Sequence, residues 1–122
     1  MKRLMGLTLI AAVLAAPAYA DCSYPKAPTK IPDGNTAALE EMVTAKNAVQ
    51  AYNKEMDAYL ACIKLEADDT FAKQGATLNE DQKKQIAAMY AQKNDAAVDE
   101  LQSIAARLNE QIRVYKAKHP SK

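Results

Sequence analysis

Residues 36–73 are the stretch that most constrains the fold of this chain. The stretch contains no Gly and no Pro. Apolar side chains recur in it at alternating spacings of three and four residues, which is the pattern of a helix with one apolar seam. Seven residues form this seam: Met42, Ala45, Val49, Tyr52, Met56, Tyr59 and Ile63. We therefore predict one long helix over residues 36–73, with Cys62 beside its seam.

A second helix is predicted over residues 79–118. Asn79, with Gln82 three residues later, forms the capping box that is typical of a helix N-terminus. The apolar residues that follow are again spaced by three and four. Gly75 interrupts the chain between the two helices and is suited to a left-handed C-terminal cap.

The short connection between the predicted helices makes them antiparallel neighbours. The predicted fold class is therefore all-α: a long, coiled-coil-like two-helix hairpin that forms one domain over residues 36–119. Folding the chain at the loop places Asn94 opposite Tyr59. A polar residue in a seam fixes the register, and the Tyr59 phenol is a suitable partner for the Asn94 amide, so we predict a polar pair there.

Residues 21–35 are predicted to form an extended arm ahead of the hairpin. Three prolines within eight positions exclude a helix and favour polyproline geometry. Asn35 or Thr36 is then predicted to cap the first helix.

The two cysteines, Cys22 and Cys62, are predicted to pair within one chain. An extended arm from Cys22 to Thr36 covers roughly 43 Å at about 3.1 Å per residue. The helix from Thr36 to Cys62 covers roughly 39 Å at about 1.5 Å per residue. Because these lengths agree, an arm running antiparallel to the helix brings the cysteines together. An intermolecular bridge is the alternative.

The N-terminus is predicted to be a signal peptide over residues 1–20. Lys2 and Arg3 precede an apolar run over residues 4–16, and Ala-Tyr-Ala at residues 18–20 is a cleavage site. The run is shorter than the roughly 20 residues of a membrane-spanning helix. We therefore expect a periplasmic or secreted protein that is not inserted in a membrane after cleavage, in a compartment where cysteines pair.

The charge of the mature chain argues against two classes of partner. Without Lys2 and Arg3, the 16 basic residues become 14 against 15 acidic ones, a net charge of −1. Nucleic acids and anionic membranes are bound through an excess of basic residues. We therefore expect neither as the main partner.

No catalytic residue or cofactor is predicted. The single histidine, His119, lies next to Pro120 at the predicted helix end, where a general base is not held in place. The sequence has no Gly-rich phosphate loop, no His-Glu-x-x-His motif and no nucleophile elbow. We therefore predict that the protein is not an enzyme.

Acidic residues gather near the predicted loop, and carboxylate oxygens are ligands for divalent cations. They are Glu66, Asp68, Asp69, Glu80 and Asp81. Their spacing is not that of an EF-hand, so no metal site is assigned, and cation binding at this end is left open.

Two resemblances add to this interpretation. The sequence Leu-Asn-Glu-Asp-Gln at residues 78–82 is similar to the Leu-Thr-x-x-Gln motif of the Spy/CpxP family of periplasmic helical chaperones. That resemblance implies a cradle-like helical dimer that shields unfolded clients. Residues 22–28, 59–64 and 92–101 resemble a group of small exported Gram-negative helical proteins with no established activity, which implies no functional residues.

These observations predict a non-enzymatic, exported protein of the cell envelope that acts as a structural or protein-interaction module. The alternative is a small periplasmic stress chaperone. We expect a protein partner. Homodimerisation is left open, because a lone hairpin has a thin core and two hairpins can pair into a four-helix bundle.

Overall fold

Two long helices form the fold. The structure is a computed structural model that describes residues 22–121, so the predicted signal peptide lies outside the described residues. Helix α1 spans Leu39–Gln74 and helix α2 spans Glu80–Lys118, which are 36 and 39 residues long. They pack against each other as a hairpin, and residues 22–121 contain no strand. The predicted all-α two-helix fold is therefore confirmed. Neither helix contains an apolar stretch long enough to cross a membrane.

The predicted seam of α1 is its buried face. All seven seam residues are buried, and they are the buried residues of this helix. On α2, the buried residues are Ala97, Ile104 and Leu108. They join the seam in one core, in which Met56 is completely buried. The spacing of apolar residues therefore determines which face of α1 meets α2.

The arm ahead of α1 lies along the hairpin as an extended segment. It begins at Cys22, next to Cys62, and runs antiparallel to α1 to a turn at Gly34. There the backbone N–H of Gly34 donates a hydrogen bond to Oε1 of Gln111 in α2, at 2.8 Å. The arm therefore contacts both helices and is fastened at both ends.

The arm also covers the core. Several of its residues are buried or pack against core side chains: Cys22, Pro25, Ala27, Ile31 and Gly34. A third element of this kind supplies the apolar contacts that a two-helix hairpin lacks on its open side.

Helix α1 begins three residues later than predicted. The prediction that Asn35 or Thr36 caps the helix is wrong, because the N-cap residue is Ala38. The backbone N–H of Thr36 donates to the carbonyl oxygen of Asp33 at 3.1 Å, so these residues form a turn instead. The turn directs the end of the arm onto α2 before α1 starts.

The loop between the helices confirms one predicted cap and corrects another. The N–H of Gln82 donates to Oδ1 of Asn79 at 2.8 Å, and the N–H of Asn79 donates to Oε1 of Gln82 at 3.0 Å, which is the predicted capping box. The predicted left-handed cap at Gly75 is wrong, because its φ is −57°. Its N–H donates to the carbonyl oxygen of Phe71 at 2.9 Å, which continues the hydrogen-bond pattern of α1 for one more residue.

We predict that Gly34→Ala destabilises the protein. A Cβ at Gly34 would lie 2.2 Å from the carbonyl oxygen of Gln111 and 2.8 Å from the backbone nitrogen of Tyr115. The backbone of α2 cannot move aside cheaply, so the free energy of unfolding should fall by about 1–3 kcal/mol. Urea denaturation measures this loss, and Thr36→Ala, at an exposed position of the same turn, is the control. Equal stability of the Gly34→Ala variant and the parent protein would contradict the close approach.

Candidate functional site

The two cysteines lie at disulfide distance. The Cα atoms of Cys22 and Cys62 are 5.7 Å apart, across a sequence separation of 40 residues. The structure therefore places the predicted partners together within one chain. Such a pair is consistent with an oxidising compartment outside the cytoplasm.

Next to the cysteines, a tyrosine of the arm contacts a tyrosine of α1. The ring of Tyr24 packs edge-on against that of Tyr59, with the centroids 4.9 Å apart and the planes at 73°. This arrangement favours contact between the positive edge of one ring and the negative face of the other. Asn94, the predicted polar partner of Tyr59, is half-buried on α2, and a hydrogen bond between them stays a prediction.

Glu100 of α2 lies beside this pair of rings. Its carboxylate accepts a hydrogen bond from the phenol of Tyr24. Burial, followed by this hydrogen bond and the negative charge of Glu100, raises the pKa of Tyr24 above its usual range. Burial and then the negative charge of Glu100 also raise the pKa of Tyr52. Both phenols therefore stay protonated well above neutral pH.

Glu100 was not among the residues singled out from the sequence. Little in the sequence indicates its role, since a Glu on a long exposed helix usually faces solvent. The antiparallel register would have placed it beside Tyr52, and the reach of the arm would have placed Tyr24 in the same layer. Only the register and the reach of the arm together indicate that Glu100, Tyr52 and Tyr24 lie close to one another.

The hairpin has two unlike halves. All the buried residues among residues 22–121 lie in 22–63 or 97–121, where the arm is present. Between residues 64 and 96, around the loop, no residue is buried. Met89, one of the apolar residues of α2, is 59% exposed. The seam therefore continues beyond the arm without a cover.

A shallow groove of about 190 Å³ lies on this uncovered half. We call it the distal groove, and eight residues line it: Ile63, Glu66, Ala67, Thr70, Ile86, Met89, Tyr90 and Lys93. It lies next to Cys22, where the arm begins, because the carboxylate of Glu66 lies within 4.8 Å of the sulfur atoms of both Cys22 and Cys62. The distal groove therefore lies next to the point where the arm is attached to α1.

Three of the acidic residues near the loop pair with lysines. Nζ of Lys64 lies 2.7 Å from a carboxylate oxygen of Asp68, and Nζ of Lys73 lies 3.1 Å from one of Asp69. A third pair joins Lys83 to Glu80 at 3.4 Å. These are exposed pairs on one helix each, and such pairs contribute little to stability.

A larger cavity of about 520 Å³ lies along the edge of the arm. Polar side chains, such as those of Thr29, Glu40 and Thr44, contribute much of its lining. The distal groove is smaller, but five of its eight lining residues are apolar, against four of nine in the larger cavity. We therefore take it as the stronger candidate for a binding surface.

The histidine and the chaperone-like motif both lie at ends of α2. The ring of His119 stacks on that of Tyr115 at a centroid distance of 4.2 Å, and its Nδ1 lies 3.0 Å from the carbonyl oxygen of Tyr115. Residues 78–82 form the start of α2, where the capping box explains the motif locally. No protein-family model, no curated protein and no solved structure matches the chain.

We predict that the Cys22→Ser/Cys62→Ser variant is less stable. A disulfide that closes a loop of 40 residues contributes about 4 kcal/mol in the chain-entropy model. Urea denaturation should show a loss of that order, and hydrogen exchange should speed up in residues 22–31. Ser23→Ala, next to the bridge and exposed, is the control. If residues 22–31 keep their protection from hydrogen exchange in the double variant, the disulfide is not what holds the arm in place.

We also predict that the stability falls at alkaline pH. Because folding raises the pKa of Tyr24 and Tyr52, the stability is intact below the ordinary tyrosine pKa of about 10 and is lost as pH rises above it. Ultraviolet titration of phenolate should show two late-titrating tyrosines. Glu100→Gln should lower the pKa of Tyr24, whereas Glu110→Gln, at an exposed pair with Arg113, should leave it unchanged. If Tyr24 in the parent protein titrates with the ordinary tyrosine pKa of about 10, the proposed contact with Glu100 is refuted.

Proposed function

We propose that this protein is a non-enzymatic, exported module of the cell envelope that binds a partner protein in the distal groove. The observation that carries the proposal is the uncovered seam between residues 64 and 96. Apolar side chains that continue a core and lie open to water favour association with another apolar surface. The near-neutral charge of the chain is compatible with a protein partner.

The occupant we propose is an apolar segment of another protein, lying in line with the arm. Two observations support this choice. The distal groove lies next to the attachment of the arm, and the arm covers the neighbouring core with an extended chain whose Ala27 and Ile31 pack against core residues. The predicted cleavage after Ala20 would leave only Asp21 ahead of Cys22, so the arm itself would not reach further.

Photocrosslinking in a Gram-negative host tests this proposal. A photoreactive amino acid is introduced at Met89, which lines the groove, or at Ser103, an exposed control position on the same helix. We expect adducts with one protein at position 89 and none at position 103. The crosslinked segment of that protein, made as a peptide, should then bind the purified chain.

A matched pair of variants tests whether the peptide lies in the distal groove. Tyr90→Glu places a charge in the apolar lining and should weaken peptide binding by about 30-fold, the effect of losing a central contact. Gln92→Glu adds the same charge at an exposed position and should change little. Equal affinities for both variants would rule out the groove. An adduct of twice the protein's own mass would show a second copy instead of a partner protein.

The second candidate is a small periplasmic stress chaperone. Large apolar side chains exposed at several places favour it, since such residues can shield unfolded clients: Leu39, Val43, Leu65 and Met89. An aggregation-suppression assay with an unfolded client separates the two functions. No suppression at equimolar concentration would eliminate the chaperone, whereas suppression that Tyr90→Glu does not reduce would eliminate the groove as its binding surface.

A further inference from the structure

Three potential metal ligands meet at the boundary between the arm and the distal groove. The sulfur atoms of Cys22 and Cys62 and a carboxylate oxygen of Glu66 all lie within 4.8 Å of one another. Glu66 follows Cys62 by one helical turn in α1, so both side chains lie on the same face of the helix. All three residues are half-buried. The arm thus adds a second sulfur atom to a Cys-x-x-x-Glu face of α1.

We propose that, when the disulfide is reduced, Cys22, Cys62 and Glu66 bind Zn²⁺. Zinc accepts thiolate sulfur at about 2.3 Å and carboxylate oxygen at about 2.0–2.2 Å in a tetrahedral arrangement. Two sulfur ligands of one tetrahedral zinc lie about 3.8 Å apart. That separation is within the span of the cluster, and rotation of the two side chains provides it once the sulfur–sulfur bond is broken. The fourth ligand is water.

The reaction requires a dithiol reductant. The dithiol is oxidised to its own disulfide, while the sulfur–sulfur bond between Cys22 and Cys62 takes up two electrons and two protons and becomes two thiols. Zn²⁺ then displaces the two thiol protons and binds two thiolates and one carboxylate. Because neither cysteine is fully buried, the reductant can reach the bond.

Zinc in this position would replace the disulfide as the link between the arm and α1. The metal joins Cys22 to Cys62, so the arm keeps its place over the core after reduction. A ligand that binds only the folded chain raises its stability with concentration. The reduced protein should therefore be stabilised by Zn²⁺, and the oxidised protein, whose sulfur atoms are bonded to each other, should not.

Cobalt binding to the full exported chain tests the site. The protein is reduced with a dithiol, the reductant is removed under anoxic conditions, and Co²⁺ is added as a spectroscopic probe. We expect thiolate-to-cobalt charge-transfer absorption in the reduced protein and none in the oxidised protein. Zn²⁺ should abolish this absorption, protect both thiols from alkylation and raise the melting temperature of the reduced protein.

Two variants identify the third ligand. Glu66→Gln keeps the size of the side chain and should weaken Co²⁺ binding by about 10-fold or more. Glu55→Gln removes a carboxylate that also lies near Cys62, but outside the ligand cluster, and should leave the affinity unchanged. The absence of charge-transfer absorption in the reduced protein would overturn the proposal. Equal affinities of Glu66→Gln and the parent protein, or no stabilisation by Zn²⁺, would overturn it as well.

Discussion

The arm packed over the helix seam is the interaction on which the rest of the structure depends. Two helices alone bury one face each, which is a thin core for a domain of this size. Where the arm is present, the core closes, and Ile63 and Ala97 are 3% and 0% exposed. One turn beyond the arm, burial ends. The bond between Cys22 and Cys62 at one end and the contact of Gly34 with α2 at the other set the extent of this closed half.

The sequence predicted the hairpin and the path of the arm because both depend on regular geometry. A seam spaced by three and four residues dictates a helix and its buried face. The rise per residue then determines how far an extended arm reaches, which brought Cys22 to Cys62. The start of α1 was not predictable in this way. It depends on the turn between Asp33 and Thr36, which forms where Gly34 meets α2, and a local capping pattern contains no information about that contact.

For the candidate sites, too, some features followed from the sequence and others depended on how the elements pack together. Glu100 and Tyr24 come from different elements, and their hydrogen bond arises only when the arm and α2 are both in place. The apolar character of Ile86 and Tyr90 was visible in the spacing, but spacing does not say whether an apolar face is covered. The position of the arm decides whether the face is covered. The arm begins at Cys22, beside Cys62 of α1, so the apolar residues nearer the loop stay uncovered.

Glu66 connects the two halves of the molecule. Its carboxylate lines the distal groove and also lies beside both sulfur atoms of the arm's attachment. Chemistry at those sulfur atoms would therefore take place at the edge of the groove. The half with few buried contacts is the part of a fold that opens and rearranges most easily. Redox or metal chemistry at Cys22 and Cys62 would thus reach the uncovered half through Glu66.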